Sequence, residues 1–216
     1  MVDLIRHRVL ERIRSDIFTC ELPPGTEIRE TELAERYDVS KSPVREALQR
    51  LEFEGLIETL PRKGHRVTPI SISDAGDILE MRATLEVAAV RRMIATSEDS
   101  DLKALDRWRD ADTSSLEVFA EYNRDFHIAL ADLCGNGRLA EDVRRLMYSY
   151  DRLCVVSLSQ IREDVGGFEE PLADHIKLID AIQDRDTRTA VRIVDRHLGA
   201  SRRKIMKGLS RRPIVE

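Results

Sequence analysis

Apolar residues recur along most of this chain at steps of three and four, the period of helices with one buried face. The first such stripe, Leu4-Ile5, Val9, Ile13 and Ile17, predicts a helix over Val2 to Thr19. A second, short helix carries Leu33, Ala34 and Tyr37 on one side and stops at a tight break, Asp38-Val39-Ser40. A third runs from Lys41 to Glu54 with Val44, Leu48 and Leu51 turned inward. Pro43 falls in its first turn, where a missing N–H costs nothing; Ser40 or Ser42 is placed to cap the free amides, and Gly55 is the breaker. The pattern then changes. Two short apolar runs, Leu56-Ile57 and Val67-Thr68, flank Pro61-Arg62-Lys63-Gly64-His65, a turn cluster that predicts a basic β-hairpin. Helix, turn, helix and basic wing describe a winged helix-turn-helix over residues 1–70, whose later helix enters the major groove of DNA.

Residues 69–73, Pro-Ile-Ser-Ile-Ser, mark a boundary. Beyond it, residues 71–216 read as helix almost without interruption, and prolines are absent between Ile70 and Glu170. Ser71 or Ser73 caps a helix reaching about Ala95. Others are expected over roughly 102–111, 115–134, 139–161, 171–184 and 186–209, with Gly135-Asn136-Gly137 and Gly166-Gly167 as breakers. Six helices on short connections predict an antiparallel all-α bundle. The fold class is therefore mainly α with a small β-wing: a winged DNA-reading head over residues 1–70, then an all-helical domain over residues 71–216.

Composition narrows the setting. Domains of about 70 and 145 residues are ordinary sizes. Cys20, Cys134 and Cys154 are too few and too scattered for a disulfide framework or a paired-cysteine metal site. No apolar run approaches the roughly 20 residues of a membrane span, and no signal-peptide core follows Met1, so a cytoplasmic protein is expected. The formal net charge is −5, and the first 70 residues hold about as many acids as bases. Positive charge is local instead, in Lys41, Arg45, Arg50, Arg62, Lys63 and Arg66. Such a head should hold random DNA weakly and rely on few phosphate contacts plus sequence-specific ones.

The outward face of the 41–54 helix carries Lys41, Ser42, Arg45 and Gln49 at three- and four-residue steps. Arginine bridges guanine O6 and N7, glutamine reads adenine, and serine and lysine take phosphates or base edges. Arg62, Lys63, Gly64 and His65 form the wing. In the bundle, His127 lies beside the stripe of Phe119, Tyr122, Phe126, Leu130 and Leu133, with Asn123 one turn before it. His175 falls within Leu172, Ile179 and Ile182, and His197 shares a face with Ala190, Val194 and Ser201. Three inward histidines from three helices suit a shared metal or anion site as well as a hydrogen-bonded core. No Glu-x-x-His pair accompanies them, which speaks against a di-iron enzyme, and the DNA head leaves an enzyme without purpose.

Three segments, ELPPGTEI, ELAERYDVSKSPVREALQRLEFEGLIE and RKGHRV, resemble the N-terminal domain of GntR-type bacterial regulators over about residues 5–67. Lys41 stands where that family usually has Arg, which keeps the charge and loses the bidentate fork. The resemblance makes Arg45 the best candidate for base contact, with Gly64 letting the wing tip approach the DNA backbone. MRATLE, YNRDFHIALADLCGN, EEPLADHIKLIDAIQDRD and DRHL are similar to the FCD ligand-binding domain of the FadR-like branch of that family. Many such domains hold a divalent metal, often zinc or nickel, through one Asp and three His, with a small carboxylate effector beside it. The resemblance implies Asn123, His127, His175 and His197 as ligands, Asn123 replacing the usual Asp. It also implies Arg82, Tyr148 and Arg152 as effector contacts, with Tyr150 on the same helix, although Arg82 and Glu86 could equally be a plain surface pair. The expected function is an effector-controlled repressor or activator, a homodimer on a near-palindromic operator. The alternative is a constitutive DNA-binding dimer whose helical domain takes neither metal nor effector.

Overall fold

Two compact units, Met1–Ser71 and Ile72–Arg212, make up the chain. The computed structural model describes residues 2–158 and 168–210. In the first unit α1 (Val2–Phe18), α2 (Glu30–Tyr37) and α3 (Lys41–Phe53) surround one core with β1 (Glu27–Ile28), β2 (Ile57–Leu60) and β3 (Gly64–Val67). Val9, Ile13, Ile17, Leu33, Val44, Leu48 and Leu51 fill that core as their spacing predicts. Leu4 does not; it is exposed, and Ile5 alone of that pair packs inward. Asp38 ends α2 in the left-handed conformation (φ 52°), returning its N–H to the carbonyls of Ala34 and Glu35. Ser40 occupies the N-cap of α3 by backbone geometry but its side chain caps nothing, and Ser42 reaches Glu46 instead. Gly55 (φ 74°) donates to Glu52 O at 2.9 Å and Leu56 N to Leu51 O at 2.9 Å. These are the two bonds of a Schellman stop, and they aim the chain into β2.

The sheet has the order β1-β3-β2, antiparallel throughout, so the expected hairpin gains a short third strand. Pairing of Ile57 with Val67 and Leu60 with Gly64 leaves a three-residue tip, Pro61–Lys63, with Arg62 at φ 66°. Gly64 (φ 101°) is not at the tip. A Cβ there would lie 2.9 Å from Ile28 O, so the β1 pairing itself calls for glycine at this position.

In the second unit the helices are α4 (Ile72–Thr96), α5 (Asp99–Lys103), α6 (Leu116–Asp132), α7 (Gly137–Leu158), α8 (Glu169–Gln183) and α9 (Thr187–Leu209). A 3₁₀ turn, Ala104–Trp108, follows α5 where one helix over 102–111 is expected. The tighter winding eclipses side chains three apart, and Lys103–Asp106 and Asp106–Arg109 close at 2.7 Å each. Ser115 caps α6 by accepting from Val118 N, and Asp186 caps α9 by accepting from Thr189 N. Phe126, Leu130, Met93, Leu178, Ile182 and Val194 share a core among α4, α6, α8 and α9. The breaker Gly166-Gly167 and the expected end of α7 near residue 161 lie outside the described residues. Among the described residues no helix is long and apolar enough to cross a membrane.

Candidate functional site

The buried face of α4 is mostly apolar: Ala75, Leu79, Ala89, Val90 and Met93. Arg82 and Glu86 stand in that same stripe, and Arg82 is 1% exposed. Two charges in a core endure only when paired. Arg82 Nε donates to Glu86 Oε1 at 2.5 Å, and the guanidinium lies over the Tyr150 ring, 3.7 Å from its centroid. The surface reading of this pair is therefore corrected: it is an internal ion pair. Burial opposes charge on Glu86, yet Arg82 and then His127 outweigh it and hold the carboxyl down at about 2. The two terminal nitrogens of Arg82 are buried with no hydrogen-bond partner.

α6, α8 and α9 bring the three histidines together, one ring nitrogen from each lying within 4.8 Å of the others. His175 Nε2 and His197 Nε2 face each other at 3.4 Å. The opposite nitrogens look outward. Glu86 Oε2 stands 2.6 Å from His127 Nδ1, and Asp174 Oδ2 stands 3.8 Å from His197 Nδ1. Tyr122 gives its hydroxyl proton to Trp108 O at 2.6 Å, so at 3.4 Å its oxygen can only accept from His175 Nδ1. Each ring is thus turned with Nδ1 toward a protein acceptor, the arrangement that metal-binding histidines adopt. Burial pushes His127 down to about 4 and His175 well below the ordinary value, so both are neutral at pH 7.

A metal fits this donor set. Nitrogens sharing one tetrahedral ion at about 2.05 Å stand about 3.3 Å apart, close to the His175–His197 separation. Both ring nitrogens of His127 are buried without a well-formed hydrogen bond; Nδ1 has the Glu86 carboxylate beside it, whereas Nε2 has no acceptor or donor and costs free energy unless something binds it. Asn123, buried one turn before His127, shares a cavity with His197.

That cavity, of about 80 Å³, is walled by Leu116, Phe119, Phe168, Pro171 and Ile205, with Asn123, Tyr150, Glu170, Asp174, His197, Ser201 and Lys204 as polar groups, Lys204 standing 3.8 Å from Glu170. At roughly 10–15 Å³ per water-sized occupant it holds something of about half a dozen heavy atoms. Of the expected effector contacts, Tyr150 lines it, its hydroxyl 2.7 Å from Ser201 Oγ. Arg82 is off the wall, against the Tyr150 ring. Arg152 is buried elsewhere on α7, and Tyr148 packs beside Arg124 (5.7 Å), because α7 turns these two positions away from the cavity. Sequence reasoning missed Glu86, Tyr122 and Asp174 as partners of the histidines. Only Glu86 left a signal: a charged residue in step with an apolar stripe.

In the first unit Lys41, Ser42, Arg45 and Gln49 are exposed together on α3, and Arg62 and Lys63 are exposed at the wing tip, with Gly64 and His65 half-buried. Arg45 is occupied. Its Nε and Nη2 donate to Glu30 Oε1 and Oε2 at 2.8 and 2.7 Å, and this bond holds the Glu30 carboxyl below its usual range. His65 Nδ1 lies 3.3 Å from Thr59 Oγ1 across the hairpin.

Residues 5–67 match the family described as bacterial regulatory proteins, gntR family, and residues 77–200 match the FCD domain. The HTH-type transcriptional repressor RspR of Escherichia coli (strain K12) is 29% identical over 199 residues, covering 90% of this chain and 86% of that protein. A GntR-family regulator from Pseudomonas syringae pv. tomato str. DC3000 superposes with a TM-score of 0.55 at 28% identity, over 97% of this chain and 88% of that one. The E. coli protein McbR/YncC has the same fold, with a TM-score of 0.77 at 19% identity over 94% and 97% of the two chains. The proteins that this chain resembles are transcription regulators, not enzymes. With a winged DNA-reading head and a histidine-lined helical domain on one chain, it belongs to the GntR family of transcription regulators, among the members that carry an FCD domain.

Proposed function

We propose that the chain is a cytoplasmic, effector-controlled regulator, in which Asn123, His127, His175 and His197 hold a divalent metal, zinc or nickel. A small carboxylate binds beside it. The observation that carries this reading is the common orientation of the three imidazoles, each with Nδ1 toward an acceptor and the three rings converging, a nitrogen from each within 4.8 Å of the others. The metal supplies a positive charge that an anion can neutralise. Because Asn123 brings no charge where an Asp would, the centre with three neutral imidazoles stays cationic. The cavity selects a small acid: its size admits few heavy atoms, and Phe119 and Phe168, stacked 4.6 Å apart, offer an apolar wall. Ser201, Tyr150 and Lys204 orient the polar end.

A homodimer presents two α3 helices to half-sites of a near-palindromic operator, with Lys41, Ser42, Arg45 and Gln49 at the bases and Arg62, Lys63 and His65 along the backbone. The effector acts only so far as it prefers one arrangement of the two heads. Elemental analysis of untagged protein and of His175→Ala tests the metal. About one zinc, nickel or manganese per chain, lost in the variant, is the expected result. No metal in either after incubation with these ions refutes the site and favours the constitutive dimer.

A further inference from the structure

Glu86 belongs to neither the expected ligand set nor the cavity wall, yet it touches both halves of the site. One carboxylate oxygen takes Arg82 Nε at 2.5 Å, and the other stands 2.6 Å from His127 Nδ1. Buried without a hydrogen bond of good geometry are the two terminal nitrogens of Arg82 and both ring nitrogens of His127, of which Nδ1 has the Glu86 carboxylate beside it and Nε2 has nothing. The carboxylate between them is itself sealed, its side chain 6% exposed.

We propose that Glu86 is the positioning residue of the site, fixing the proton of His127 on Nδ1 so that Nε2 is presented to the metal, and tying that ligand to Arg82. The inference rests on the metal reading above. Its physics is local. A neutral imidazole carries one proton, and an anionic acceptor 2.6 Å from Nδ1 decides which nitrogen keeps it. The same carboxylate serves His127 and Arg82 at once, so a shift of the guanidinium displaces the acceptor that orients the metal ligand.

Nitrogen-15 NMR of the metal-free chain reads the tautomer directly. His127 in the wild type is expected to be neutral with its proton on Nδ1, and in Glu86→Gln to become a mixture. Zinc titration, with zinc as the only probe, is expected to show affinity reduced about 10–100-fold in Glu86→Gln, the usual effect of removing such a partner. Glu86→Gln leaves Arg82 charged and unpaired in the core, so the charge-balanced Arg82→Gln/Glu86→Gln protein is measured beside it. Loss of zinc affinity in the double variant supports positioning. Wild-type affinity there, or an Nε2-protonated His127 in the wild type, overturns the role of Glu86 and leaves the metal reading standing. A wild-type chain that takes no zinc while His127 keeps its Nδ1 proton overturns the metal reading, and the coupling with it.

Discussion

His127 makes the helical domain acid-labile in a window set by its burial. The imidazole titrates at about 4 in the folded chain and at about 6.5 when unfolded. Between those values the unfolded chain binds the proton and the folded chain does not, so stability falls as pH falls through about 6.5 and levels off below about 4. Integrating the linkage relation from pH 7 to about pH 4.5 gives a loss of roughly 2 kcal/mol from this side chain alone. Glu86, at about 2, loses its contribution at lower pH still and is present in both proteins compared. The comparison is wild type against His127→Gln, whose amide can donate to Glu86 but does not titrate. Trp108, the one tryptophan, lies in the helical domain, so its fluorescence during urea unfolding follows that unit. With a chelator present, the wild type should lose about 2 kcal/mol more than the variant between the two pH values. Parallel losses refute the claim that His127 is buried neutral.

Two glycines of α9 should respond oppositely to alanine. At Gly208 a Cβ would stand 2.4 Å from Ser157 O of α7, an overpacking that costs about 1–3 kcal/mol and exceeds the helix-propensity gain of about 1. At Gly199 the nearest atom is the flexible end of Arg203 at 3.5 Å, so alanine should stabilise by about 1 kcal/mol; shifts of the same sign in the Trp108 transition contradict this packing. At the wing tip, Arg62→Gly should relieve a left-handed arginine, gaining about 1 kcal/mol in thermal unfolding, while it weakens operator binding and lowers the salt slope by about one phosphate per protomer. Unchanged DNA affinity would remove Arg62 from the interface. The wild-type dimer itself should release counterions for about four to eight phosphates, and affinity independent of salt contradicts DNA reading by this face.

The helices were legible because their stripes are long and the residues that fill them are all of one kind. Val44, Leu48 and Leu51 announce α3, and Asp38 and Gly55 mark turns that their left-handed backbones then make. What was hidden depends on partners distant in sequence. Leu4 continues the α1 stripe, yet nothing in the first unit covers it. Arg82 and Glu86 have the spacing of any exposed ion pair, and only the helices packed over α4 turn them into a core pair. β1 is two residues long, too short to carry a period, and its close approach adds to the positive φ in making position 64 a glycine. The three histidines were read as converging because each sat in an apolar stripe. The acceptors that stand nearest their Nδ1 atoms, Glu86, Tyr122 and Asp174, come from other turns and other helices.

The bond between Glu30 and Arg45 gives the reading head two electrostatic states. While it holds, the guanidinium that the proposed function places at a base is bonded to a carboxylate, and a chain of net charge −5 has little to grip random duplex with. An exposed pair of this kind is worth only about 0–1 kcal/mol, so a correctly placed guanine can take the fork from Glu30 within the time of an encounter. Under the proposed function, this exchange separates a searching state from a bound one, shortening the dwell on wrong sequence without loosening the grip on the right one.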